Sequence, residues 1–166
     1  MEPLITLVIV TGALRLIGAF GVEALRRIPV ALRGGLSAMF ALTGVSHFVG
    51  MRDDLIAMVP QGMPAPEFLV TFTGIAELAG AIGLLVPRIA LLAAGGLTLL
   101  LIAVFPANVA LALSGAPLPW YDQLTWRTLT QLIFLAATSV VVIDRYRAWR
   151  NRRMLSARSV APARSR

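Results

Sequence analysis

The sequence predicts an all-α integral membrane protein, a helical bundle of five spans, on three observations. Hydrophobic residues make up 58% of the 166-residue chain and charged residues only 14%, whereas a soluble domain carries roughly a quarter charged residues. The mean hydropathy is +0.82. Five stretches approach the ~20 apolar residues that a transmembrane helix needs, namely residues 4–22, 34–51, 68–86, 89–113 and 125–143. Residues 1–145 therefore read as a single transmembrane domain, and the arginine-rich residues 146–166 as a disordered basic tail.

Taken in order, the first span carries one charge, Arg15, and the third one charge, Glu77. The fourth has no charge in 25 residues, and the fifth has an apolar core from 128 to 143 that extends outward through Arg127, Trp126 and Thr125. The breaks follow turn chemistry. Pro29 and the Gly34-Gly35 pair bracket the first connection, and Pro60, Gly62, Pro64 and Pro66 punctuate the second. Pro87 ends the third span, and Gly115, Pro117 and Pro119 mark the last connection.

The net charge of +7 comes entirely from arginine over acid, because the chain has no lysine. Arg26, Arg27 and Arg33 fall in the first connection, Arg88 in the third, and eight more between Arg145 and Arg166. Twelve of fifteen arginines thus lie on one side, which by the positive-inside rule places the N-terminus outside and the C-terminus in the cytoplasm. A chain start of Met1-Glu2-Pro3 lacks the positive charge of a cleavable signal, so the first span reads as retained. The arginines are topology determinants that also face anionic headgroups, so the expected partner is the lipid bilayer and not nucleic acid. The lack of cysteine excludes disulfides and thiol chemistry, and the single histidine excludes a multi-histidine metal centre.

Charges within the bilayer cost roughly 2.5–3.5 kcal/mol each, so Arg15 and Glu77 need explanation. Counted from the outer ends of their expected spans, they lie about 16 and 14 Å deep. Small residues flank both at helical spacing: Thr11, Gly12, Gly18 and Ala19 around Arg15, and Thr73, Gly74, Gly80 and Ala81 around Glu77. The expectation is an intramembrane Arg15–Glu77 ion pair, serving either helix packing or proton and ligand handling. A second polar group gathers nearer the outer surface. His47 lies four residues from the outer end of the second span, on a face with Phe40, Thr43 and Gly44; Asn108 follows Pro106, which can free a helix carbonyl; Gln131 lies one turn inside Arg127. These four residues read as an outward-facing polar pocket rimmed by Met58, Pro60, Trp120, Tyr121 and Trp126. Its chemistry suits a quinone beside an apolar slot, or equally a set of interhelical hydrogen bonds. No nucleophile–base–acid set, phosphate loop or metal-ligand set occurs.

An ordered set of segments then resembles the DoxX family of small bacterial membrane proteins. The segments are Gly44-Val45-Ser46-His47-Phe48, Met58-Val59-Pro60-Gln61-Gly62-Met63-Pro64, Thr73-Gly74-Ile75-Ala76-Glu77-Leu78-Ala79-Gly80, Gly83-Leu84-Leu85-Val86-Pro87, Val104-Phe105-Pro106-Ala107-Asn108, and Leu118-Pro119 followed by Arg127 and Gln131. The resemblance covers residues 34 to 143. It implies a four-helix core, to which the first span is an addition, and a site at His47, Glu77, Asn108 and Gln131. It also implies a bacterial plasma-membrane setting linked to redox systems. The expected function is a non-catalytic accessory subunit of a membrane redox complex with no intrinsic cofactor, presenting a quinone or lipid site to a redox partner. The alternatives are a membrane chaperone or assembly factor docking through glycine-rich faces, with self-association open, and, behind these, a small transporter.

Overall fold

The computed structural model describes residues 1–60, 62–113, 115 and 119–160, with the side chains of Tyr121 and of residues 156–160 outside the description. The described chain is all-helical with no strands. Five helices are long and apolar enough to cross a membrane: α1 (Glu2–Ala19), α2 (Ile28–Ser46), α4 (Pro66–Leu85), α5 (Ala90–Ala112) and α6 (Leu124–Val160). A short α3 (Arg52–Ala57) lies in the connection after α2.

Local chemistry sets the ends. α1, α2 and α4 each carry proline at the first or second position, where its missing N–H costs nothing and its fixed φ is already helical. Only a tight turn at 86–89 separates α4 from α5, with Pro87 at its centre. Three boundaries differ from the sequence expectation. α2 starts at Ile28, so Gly34 and Gly35 lie inside the helix and do not break it. A Cβ on Gly35 would collide with Thr11 and with the Leu7 carbonyl of α1, so these glycines are the seat of the neighbouring helix. His47 caps α2 at its C-terminal end. The expected disordered tail is helical as far as Val160, because no glycine or proline interrupts residues 124–160 and the first breaker is Pro162. Residues 161–166 lie outside the described residues.

Packing proceeds α1 on α2, α2 on α4, α4 on α5 and α5 on α6, and α6 returns to α2 to close the bundle. All five long helices contribute to the core, which includes Leu7, Leu36, Met39, Phe40, Leu84, Leu97, Phe134 and Val141. Small residues let the backbones approach. A Cβ on Gly80 would lie 2.5 Å from the Leu97 side chain of α5, and buried Ser37 of α2 donates to the Ala81 carbonyl of α4 at 2.8 Å. Large side chains point outward instead, among them Ile9, Leu16, Phe68, Phe72, Ile82, Leu92, Leu99 and Leu132. Such an apolar outer surface suits lipid and not water, so the chain is a multi-pass membrane protein.

Candidate functional site

Polar side chains collect where the last turn of α2 meets the middle of α4. Glu77 lies eleven residues into α4 and is 9% exposed. Facing it from α2 are the Thr43 hydroxyl and the His47 imidazole, the two polar groups that act on its carboxyl. His47 Nδ1 lies 2.9 Å from the Thr43 carbonyl. A carbonyl can only accept, so Nδ1 carries the proton and Nε2 is left as the acceptor of the neutral ring. The Thr43 hydroxyl sits 3.3 and 3.4 Å from the Met39 and Phe40 carbonyls of its own helix; such long contacts let it turn toward the carboxyl. Among the described residues Glu77 Oε2 is buried with no hydrogen-bond partner, which is costly for a polar atom unless something else reaches it.

Two glycines make this meeting possible. A Cβ on Gly74 would lie 2.6 Å from His47 Cβ, and one on Gly44 would lie 2.8 Å from Leu78 and 3.2 Å from the Gly74 carbonyl. α2 and α4 therefore touch backbone to backbone beside the carboxyl. Arg52 locks the end of the contact, donating to the His47 carbonyl at 3.3 Å and to Thr71 Oγ1 of α4 at 3.1 Å. Neither Arg52 nor Thr71 was among the residues that sequence depth singled out; Arg52 lies in a connection, where an arginine reads as ordinary solvated charge.

The other expected residues form a second set between α5 and α6. Arg127 donates to Asn108 Oδ1 at 2.8 Å, to Asp122 Oδ1 at 3.0 Å and to the Asp122 carbonyl at 2.9 Å. Buried Gln131 donates from Nε2 to the Leu101 carbonyl at 2.6 Å. This bond sits next to the gap in the α5 ladder that Pro106 makes, since Pro106 cannot donate to residue 102. Every expected pocket residue is thus engaged, but as two sets. Among the described residues no hydrogen bond or ion pair links His47 and Glu77 to Asn108, Arg127 and Gln131. At the rim, Trp120 and Trp126 pack edge to face at 5.5 Å and stay exposed. Met58 and Pro60 are half-buried, and Gln61 and Leu118 lie outside the described residues.

The Arg15–Glu77 pair does not form. α1 packs chiefly on α2, seating Leu7, Thr11 and Leu14 against Gly34 and Gly35, while Gly18 lies against Leu25 and Arg26 in the turn before α2. Arg15 is one residue on from Leu14, turned about 100° round the helix, and is exposed. It also lies only four residues before the helix end at Ala19, about 6 Å, which a long arginine side chain can span to reach the interface. Arg15→Leu is therefore expected to change unfolding free energy by no more than about 0.5 kcal/mol, measured in detergent; Glu77→Gln should give it no rescue.

A family model described as "Domain of unknown function (DUF8561)" matches residues 36–143. The matched segment begins beyond α1 and contains both polar sets. Neither a curated protein nor a solved structure matches the chain.

Proposed function

The chain belongs to the DUF8561 family; on the residues of its α2–α4 contact we propose that it is a DoxX-like accessory subunit of a membrane redox system, with a hydrogen-bonding site there for a lipid-soluble quinone. The observation that carries this reading is the Glu77 carboxyl, which is buried and leaves Oε2 without a hydrogen-bond partner among the described residues. Beside it, His47 keeps Nδ1 on a backbone carbonyl and offers Nε2. A carboxyl and an imidazole acceptor match the carbonyl and hydroxyl oxygens of a quinone or quinol, which accept in one form and donate in the other.

The fit is chemical. Glu77 would bind one ring oxygen, and His47 Nε2 would accept from a hydroxyl. The close Gly44–Gly74 contact holds both groups in place. When bound, a quinone would supply two-electron, two-proton chemistry; the chain's own part is to orient it, exclude water and hold a proton at Glu77 or Nε2. The electrons would come from a partner redox protein. In this reading the chain lies in a bacterial plasma membrane with its N-terminus outside, as its twelve one-sided arginines support, and the site opens toward the outer leaflet.

Gentle detergent extraction tests this. Wild-type protein is expected to retain extractable quinone, and His47→Ala and Glu77→Ala to lose most of it while staying folded. A stable complex with an unrelated membrane protein, insensitive to both substitutions and free of quinone, would replace this reading with an assembly-factor role.

A further inference from the structure

At the arginine-rich end of the bundle, α2 and α6 meet through charge. Arg27, at the start of α2, donates from Nη2 to Asp144 Oδ1 at 3.0 Å, and Arg145 pairs with the other carboxylate oxygen, Oδ2. Arg33, on the second turn of α2, feels the charges of the same Asp144 and Arg145, and its Nε is buried without a hydrogen-bond partner among the described residues. Two guanidiniums thus take both oxygens of the one carboxylate, and the third, Arg33, stands within range of its charge without bonding it.

The seam keeps a formal surplus of two positive charges where water has restricted access, because the Arg145 and Asp144 side chains are only 13% and 14% exposed. The start of α2 has no side-chain cap and adds the partial positive charge of a helix N-terminus. One turn further along α6, Tyr146 and Trp149 stack at 5.8 Å, and Arg153 lies 4.4 Å from the Trp149 ring centre. Aromatic and basic side chains so combined belong at the headgroup layer.

We propose that this α2–α6 seam binds the phosphate of an anionic phospholipid headgroup, with Arg27, Arg33 and Arg145 as its donors. Guanidinium forks match phosphate oxygens two at a time, and basic recesses between membrane helices take anionic headgroups by this chemistry. The lone carboxylate orders the arginines and cannot neutralise them. The seam lies at the opposite end of α2 from His47 and includes no residue of the Glu77 site, so the inference does not depend on the quinone reading.

The test uses the full chain in detergent, offered equal amounts of phosphatidylglycerol and phosphatidylcholine and read by native mass spectrometry. The wild type is expected to hold phosphatidylglycerol preferentially. Arg27→Gln and Arg33→Gln should each lower that retention about fivefold, the factor equivalent to about 1 kcal/mol per interfacial arginine. Arg152→Gln, which removes an exposed arginine bonded to the Ala148 carbonyl, should leave it unchanged. Arg27 has a side chain 64% exposed, so its variant remains informative if Arg33→Gln fails to fold. Equal retention of both lipids, or undiminished retention in Arg27→Gln, would overturn the proposal. Displacement of the lipid by millimolar inorganic phosphate would also overturn it, and would assign the seam to a free anion.

Discussion

Gly74→Val is expected to destabilise the bundle by about 3 kcal/mol, the upper end of the cost of overpacking a tight contact. The first atom added already meets His47 Cβ at 2.6 Å and Phe48 Cε2 at 3.0 Å, so α4 must move away from α2 or His47 must leave. Either outcome opens the contact that shields Glu77. Gly12→Val provides the internal control. Nothing lies within 4 Å of a Cβ at Gly12, so the same chemical change on α1 should cost no more than about 0.5 kcal/mol. Reversible unfolding of both variants in mixed detergent reads the difference. Equal costs would mean that α2 and α4 are not in backbone contact at this level.

The second large effect is at Arg127. Arg127→Met keeps the apolar stem of the side chain but removes three hydrogen bonds, to Asn108, to Asp122 and to the Asp122 carbonyl. Charge-assisted bonds are worth about 1.5–3 kcal/mol each when buried. Here the Arg127 side chain is 15% exposed and that of Asp122 34%, so solvent weakens the ion pair, and the expected total is about 2–3 kcal/mol. A double-mutant cycle with Asn108→Ala should show coupling, since the two side chains lie 2.8 Å apart. Strict additivity would argue against the contact.

Much of the fold was legible because lipid solvation imposes a simple rule: long apolar runs become helices. The third and fourth spans, expected at 68–86 and 89–113, end within two residues of α4 and α5. Misreadings arose where one residue type serves two purposes. Gly34 and Gly35 read as a break by soluble-protein turn chemistry, yet within a membrane helix glycine makes room for a neighbour. Arg15 and Glu77 match in depth and are opposite in sign, but depth fixes neither rotation nor helix order, and both decide contact. The tail read as disordered from its charge alone, although nothing in residues 124–160 stops a helix that is already nucleated.

At the site, Glu77 announced itself as a carboxyl in an apolar run, and His47 shared a face with Thr43 and Gly44. Their neighbourhood was not readable, because it depends on how α2 and α4 dock. The same holds for Arg127: equal depth with Asn108 allows their bond without fixing it, and Asp122 lies in the preceding turn, where an acidic residue reads as solvated charge. Arg52 and Thr71 gave no signal, since one lies in a connection and the other resembles any helix-surface threonine.

Titration with a short-chain quinone in detergent tests the central claim most directly, namely that Glu77 and His47 form a ligand site at the α2–α4 contact. The account predicts saturable binding of one quinone per chain. It also predicts that Glu77→Ala and His47→Ala each weaken binding about tenfold, the equivalent of losing one hydrogen bond to a buried group, and that Arg15→Leu leaves binding unchanged. Unsaturable uptake, the same in wild type and all three variants, would contradict it.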